Sequence, residues 1–474
     1  MIETDTSTNL LLQTDSYKVS HFKQYPPGSQ FVHSYLEARG GEYPSTLFFG
    51  LQYYLYKLLA KPITRQDIEE ADSFFRDHFG TDVFNRAGWE HILNKHGGYL
   101  PLHIRAVPEG LRVPVSNVLM TVENLDSMVP WLTNYIETRL MQVWYPTTVA
   151  TLSRSVRQTI LAALERSGDP SLIDFKLHDF GYRGSTSNES AGIGGLAHLV
   201  NFKGTDTLAA LTLARQYYGE KMAGFSIPAA EHSTITSWGQ DHEVDAYRNM
   251  LTQYPTGLVA VVSDSYDIYN ACEHLWGETL HDEVMSRQGT LVVRPDSGDP
   301  KEVVLKCLEI LGTKFGYEFN AKGYAVLNPK VRLIQGDGCS PDMIRDVLKH
   351  IMDRTWSADN IAFGMGGALL QKVNRDTCQF AFKASNIVVD GKSRPVSKNP
   401  VTMTTKKSKP GRLTLIKHPM LGYLTMDRDA YASLNAGPMY DGCVDMMNTV
   451  YINGRIVLPT TLENVRNLAR SNQE

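Results

Sequence analysis

The chain has 474 residues, 42% of them hydrophobic and 21% charged, with a formal charge of −4, a profile of ordinary globular proteins with room for more than one domain. The slight negative charge excludes non-specific nucleic-acid binding, which needs a basic surface to displace counterions, but it leaves a local anion site open. No window reaches the roughly 18 uncharged apolar residues of a spanning helix, so no membrane is expected; "MIETDTSTNLLLQTDSYK" is unlike a secretory signal, and five scattered cysteines without a CxxC suit a reduced, cytoplasmic protein.

Residues 1–150 mix short elements with aromatic-rich connections and read as an N-terminal α/β domain. From about residue 174 a rhythm begins. Short apolar runs end abruptly in Gly, Asp or Arg: "DFKLHDFGYRG", "LVNFKGTD", "GFSIPAAEH", "GLVAVVSDSYD", "TLVVRPDSGD", "VRLIQGDG" and "NIAFGMGG". Most are followed by a segment of helical length. In 300–316 the apolar positions Val303, Val304, Cys307, Leu308 and Leu311 recur at helical intervals. Ser340 and Pro341 read as N-cap and first residue of another helix. Strand, polar turn and helix repeated at some 30 residues is the pattern of βα units. About seven units favour a closed or nearly closed β/α barrel over 151–385, whose strand ends converge on one face. After 385 the rhythm stops, and 386–474, which opens basic and turn-rich, reads as packing back on the N-terminal part.

Two familiar signatures fail on context. Gly391-Lys392-Ser393 lacks the earlier glycine of a P-loop, since Asn386 stands there. "GIGGLA" (192–197) is preceded by polar residues where a dinucleotide fold needs a strand, so helix-packing glycines are the better reading.

Phosphate-binding features are spread over the strand ends instead. Arg183 and Arg294 each offer forked donors for phosphate oxygens, and "GDG" (336–338) and "GMGG" (364–367) let backbone N–H groups approach an anion. Singly, each is more often a tight turn or a surface ion pair; it is their common placement at strand ends that favours phosphate. Asp206, Asp264, Asp296 and Asp337 lie at the same level. Asp206 and Asp264 could be helix caps, or some of the four could hold ribose hydroxyls or Mg²⁺. His232, in "PAAEHSTIT", lacks the further ligands of a zinc site and is not in HExxH. No G-x-S-x-G supplies a triad nucleophile. What remains is a histidine at a phosphate pocket, with Asp264 as a partner that could orient it for attack on phosphorus or merely satisfy it.

"TDSYKVSHFKQYPP", "KLHDFGYRG", "NFKGTDT", "PAAEHSTIT", "VVSDSYDIYNACE", "RPDSG", "IQGDG" and "IAFGMGGALLQKVNRD" together resemble, in order, the nicotinamide phosphoribosyltransferases, over nearly the whole chain from about residue 9. The resemblance implies a type II phosphoribosyltransferase fold: an irregular α/β barrel, a second α/β domain formed by both chain ends, and a homodimer with shared active sites. It implies the condensation of nicotinamide with 5-phosphoribosyl 1-diphosphate to nicotinamide mononucleotide and diphosphate, in NAD biosynthesis. Phe180 would stack on nicotinamide, Tyr17 of the partner subunit would cover its other face, and Asp206 would accept from the carboxamide. Arg183, Arg294 and His232 match diphosphate contacts. Asp296, Gly336, Asp337, Gly367 and Arg375 match contacts to the nucleotide's ribose and 5′-phosphate, and Lys383 would reach into the neighbouring site. Mg²⁺, carried on the diphosphate, would help stabilise the leaving charge. ATP would phosphorylate His232, with Asp264 beside it, and drive synthesis. A nicotinate phosphoribosyltransferase, or a non-catalytic interaction protein on the same fold, are the alternatives. The short "EARGGEYPSTLFFG", Phe175 where the animal enzyme has Tyr, and Ala381 where it has Ser point to a bacterial or phage-like form.

Overall fold

In a computed structural model, residues 9–400, 402, 407–434 and 442–471 are described, so parts of the basic stretch 390–415 (401 and 403–406) lie outside them. They form two compact units, one of residues 1–151 with 374–474 and the other of residues 152–373. No helix among the described residues is long and apolar enough to cross a membrane.

The first unit is built on a seven-stranded antiparallel sheet. Its strands run in the order Lys392–Pro395, Phe380–Val389, Ser29–Ala38, Asn117–Asn124, Leu102–Ala106, Asn448–Ile452, Arg455–Ile456. Both ends of the chain therefore contribute. The strand Phe380–Val389 pairs with Ser29–Ala38 from Ala38 opposite Phe380 to Ser29 opposite Val389. The end of the sequence rhythm at 385 falls inside this strand: "FAFKASNIVV" is part of the antiparallel sheet and not a barrel run. Gly391, dismissed as a P-loop remnant, sits at a hairpin tip with φ +74, where Val389 pairs with Lys392.

The second unit is the barrel. Six parallel strands run in the order Gly204–Thr205, Leu177–Asp179, Ile361–Met365, Val331–Gln335, Gln288–Arg294, Thr256–Val262. The segment 225–230 joins the two edges. Phe225 exchanges backbone bonds with Lys203 and Thr205, while Ala230 N–H donates to Ala260 O and Ala260 N–H to Pro228 O. Seven runs thus make a ring, with "GFSIPAAEH" contributing only these few bonds. The helix Pro300–Phe315 buries Val303, Val304, Cys307, Leu308 and Leu311. The helix Pro341–Asp353 is capped by Ser340, whose hydroxyl accepts from the Met343 N–H. The glycines of "GIGGLA" lie inside the helix Asn188–His198. A Cβ at Gly192 would stand 2.8 Å from Leu213, and one at Gly195 would stand 2.9 Å from Ala210. Both neighbours belong to the next helix, Leu208–Tyr218, so these are packing glycines.

Candidate active site

Along a strand, every second side chain faces the same way, and this period builds the site. Ala260, Val292 and Ile334 form a buried cluster against which Phe180, Ile227 and Ala362 pack. Each barrel run except the very short Gly204–Thr205 strand contributes one member. Two residues beyond Val292, Ile334 and Ala362 come Arg294, Gly336 and Gly364. The apolar cluster is therefore a floor, and on these three strands the next inward position opens onto the site.

The two glycines are necessary there. A Cβ on Gly364 would lie 1.9 Å from Phe180 Cε2, so the phenyl ring rests on bare backbone. A Cβ on Gly336 would lie 3.3 Å from Phe180 Cε2, 3.4 Å from Asp296 Oδ1 and 3.7 Å from Arg294 Cδ. An aromatic ring, a carboxylate and a guanidinium therefore surround one point. Arg294 Nη2 is 3.4 Å from Asp296 Oδ2, and its buried Nε has no hydrogen-bond partner among the described residues. A guanidinium N–H left without an acceptor is what an anionic ligand would satisfy.

Asp206 is half-exposed, and its Oδ1 accepts from His178 Nε2 at 2.9 Å and from the Ser226 hydroxyl. Burial would raise its pKa, but His178, Ser226 and the charge of Arg294 outweigh that and hold the carboxyl below its ordinary value. The His178 and Phe180 rings are 5.1 Å apart. Asp206 is not a helix cap: Thr207 occupies that position, and its N–H donates to Thr205 Oγ1. Nor is Asp264, since Asp267 caps the helical segment that follows it. The capping alternative is thereby removed for both.

His232 opens the short helix His232–Thr236. Its Nε2 donates to Asp264 Oδ1 at 3.0 Å, and its Nδ1 lies 3.9 Å from Asp296 Oδ2. The other oxygen of Asp264 accepts from the Asp296 N–H at 3.1 Å and the Ser297 hydroxyl at 2.5 Å. Asp296 is pushed above its ordinary value by burial first; Asp264 and Asp337 add to that, while Arg294 and His232 oppose it. Arg183 is 88% exposed, with Glu231 Oε2 at 3.8 Å. Glu231 is held low by the Ser233 hydroxyl first, then by Arg183, Arg294 and His232.

Asp337 lies exposed in the Gly336–Gly338 turn, and Gly367 opens a short helix with free space where its Cβ would be. Tyr17, Lys383 and Arg375 belong to the sheet unit. Tyr17 is exposed, Lys383 is a strand residue whose pKa burial lowers, and Arg375 opens a single 3-10 turn. Sequence reasoning missed His178 and Ser226. The signal for His178 was present in "KLHDF", where it stands two residues before Phe180 and so shares its face.

Residues 175–446 match the model of the nicotinate phosphoribosyltransferase (NAPRTase) family, and residues 9–104 match that of the nicotinamide phosphoribosyltransferase N-terminal domain. The chain is 53% identical to a nicotinamide phosphoribosyltransferase of Xanthomonas campestris pv. campestris, covering 97% of each chain. It is 31% identical to one of Acinetobacter baylyi, covering 97% of this chain and 96% of that one. In fold it is similar to the nicotinate-nucleotide pyrophosphorylase of Pyrococcus furiosus, with a TM-score of 0.62 at 13% identity over 99% of this chain and 97% of that one. Human nicotinic acid phosphoribosyltransferase gives a TM-score of 0.57 at 15% identity over 97% and 93%.

Proposed function

The chain belongs to the nicotinamide phosphoribosyltransferases of the nicotinate phosphoribosyltransferase family and is a pentosyltransferase; on that footing we propose that it joins nicotinamide to 5-phosphoribosyl 1-diphosphate, giving nicotinamide mononucleotide and diphosphate. The observation that carries the reading is the space over Gly336, around which Phe180, Asp296 and Arg294 gather. A flat aromatic substrate and a phosphorylated one would meet there.

The pyridine ring stacks on Phe180. Because His178 and Ser226 both occupy Asp206 Oδ1, Oδ2 is left to accept from the carboxamide NH₂. An anionic Asp206 repels the carboxylate of nicotinate at the same place. The pyridine nitrogen then attacks the anomeric carbon as its bond to the diphosphate oxygen breaks, and positive charge develops on the sugar. Arg294, with its unpartnered Nε, and the exposed Arg183 stabilise the departing diphosphate. The Gly336 and Gly367 backbone, with Asp296 and Asp337, holds the ribose and 5′-phosphate.

Mg²⁺ fits this donor set. Asp296 and Asp337 offer hard oxygen ligands, and Asp296 is a carboxyl that burial and two neighbouring acids destabilise as an anion. These two would hold the ion, which would neutralise charge on the diphosphate. In a homodimer, Tyr17 and Lys383 would be supplied across subunits.

ATP enters at His232. Asp264 holds Nε2–H, leaving the lone pair of Nδ1 to attack the γ-phosphorus. An N–P bond forms, the bridging P–O bond breaks and ADP leaves; water later hydrolyses the phosphohistidine. The test measures nicotinamide mononucleotide formation with and without ATP, with nicotinate in parallel, for the wild type and His232→Ala. The expected result is turnover of nicotinamide alone, with ATP stimulation lost in the variant. Equal use of both bases would sink the Asp206 assignment, and undiminished stimulation would sink the phosphohistidine.

A further inference from the structure

A second cluster of ligating side chains lies wholly within the sheet unit. The helix Arg86–His96 ends in "HILNKH" and stops at Gly97, which takes the left-handed conformation. From its last two turns His91 and His96 both aim Nε2 at one atom, Asp126 Oδ2, at 2.8 and 2.7 Å. The three ligating atoms lie within 4.8 Å of one another.

Asp126 is built in. Its side chain is 3% exposed, its Oδ1 accepts from the Met128 N–H at 2.9 Å, and its carbonyl accepts from Asn124 Nδ2 at 2.8 Å. Asn124 Oδ1 in turn accepts from the Val32 N–H in the neighbouring strand. Burial would raise this carboxyl, but Met128 N–H, both imidazoles and Lys95 hold it well below the ordinary range, so it is an anion with one oxygen facing two rings.

We propose that His91, His96 and Asp126 form a site for a divalent transition metal of the zinc class, with water as a fourth ligand. Two imidazoles and one carboxylate suit such an ion, whereas Mg²⁺ and Ca²⁺ take oxygen donors. Tetrahedral ligands at about 2.0–2.1 Å from zinc sit about 3.3–3.4 Å apart. Each ring therefore needs to withdraw only about half an ångström from Oδ2. The hydrogen bonds of both rings run through Nε2, which leaves Nδ1 to carry the proton of the metal-binding tautomer. Lys95 Nζ stands 3.0 Å from the same oxygen and competes with a cation. Its side chain is 58% exposed, so it is free to swing into water. A bound ion would staple the end of this helix to the loop leaving the strand Asn117–Asn124.

The test uses the full-length protein, stripped with chelator, dialysed and titrated with Co²⁺. The expected result is a visible ligand-field band saturating at one equivalent per chain, bleached by Zn²⁺ but not by Mg²⁺. It should be lost in His91→Ala and His96→Ala, and Lys95→Ala should bind Co²⁺ several-fold more tightly. No band in the wild type, or a band kept by the two histidine variants, overturns the site. If those variants do not fold, Lys95→Ala decides: tighter binding supports the site and unchanged binding overturns it.

Discussion

Replacing Asp206 by Asn keeps the shape of the side chain and reverses what it offers. His178 and Ser226 both donate to Oδ1, so the amide oxygen of Asn is drawn to that position. Its NH₂ then points where Oδ2 was, and an acceptor becomes a donor. Nicotinamide loses a hydrogen bond to a charged group, worth about 1.5–3 kcal/mol. Nicotinate loses a repulsion that is about 4 kcal/mol at 4 Å in a protein-like medium and about 1 kcal/mol in water. Asp206 is 47% exposed, so an intermediate value of about 2 kcal/mol is appropriate after discounting for solvent. Together these shift the preference by about 4 kcal/mol, or two to three orders of magnitude at about 1.4 kcal/mol per tenfold. The assay is the ratio of kcat/KM for the two bases under one set of conditions, in wild type and Asp206→Asn. A ratio that changes by less than about threefold would refute the role of the charge, since even the hydrogen-bond loss alone exceeds it.

Two further changes test one packing contact in the barrel and one charge network in the sheet unit. Gly364→Ala places a methyl 1.9 Å from the Phe180 ring edge; overpacking of this kind costs about 1–3 kcal/mol, and KM for nicotinamide should rise about tenfold or more because the stacking ring is displaced. Isothermal titration with nicotinamide checks it, and unchanged affinity would mean the ring is not the platform. In the sheet unit, Glu123 accepts from Arg412, His103 and, at 3.5 Å, His33. Burial would raise it, but these partners hold it far below the ordinary range. A folded pKa below the unfolded one adds stability that is present above the unfolded value and fades as pH falls. Glu123→Gln should therefore destabilise by about 3 kcal/mol at neutral pH. The gap to wild type, followed by urea unfolding, should shrink below about pH 4.3. A gap independent of pH would assign the loss to packing instead of charge.

What could be read in the sequence follows from what each strand must do. A barrel strand is buried on both faces over its last few residues, so "GLVAVVSD" and "TLVVRPDSGD" show an apolar run and an abrupt polar stop, and the site residues stand at the stop. The antiparallel strand "FAFKASNIVV" begins in the same way. What distinguishes it is its partner, Ser29–Ala38, more than 340 residues away along the chain. The rhythm in the sequence therefore runs on to 385, inside that strand. His178 hid for a different reason: a single histidine in an apolar run is silent until the two-residue period ties it to Phe180. The His91, His96 and Asp126 group was hidden further: the H-x4-H of "HILNKH" suits a metal, but no third ligand stands near it in the chain, because the carboxylate lies beyond three intervening strands.

Glu231 and His232 look like a pair in the sequence, yet the structure separates them. Glu231 faces outward to Ser233 and Arg183, whereas His232 turns to Asp264. That one buried carboxylate does two things at once. Through Oδ1 it fixes the imidazole, and through Oδ2 it holds the Asp296 N–H and the Ser297 hydroxyl, just past the strand that delivers Arg294. The group proposed to accept phosphate from ATP and the loop proposed to bind the phosphoribosyl substrate are therefore tied to opposite oxygens of the same side chain. A phosphate on Nδ1 would place negative charge near Asp296, whose Oδ2 stands only 3.9 Å away, and Asp296 is already destabilised as an anion. Phosphorylation would raise the affinity of that corner for Mg²⁺ and for the cationic face of Arg294. On the proposed mechanism, ATP would act on synthesis through the charge at Asp296 and need not contact nicotinamide.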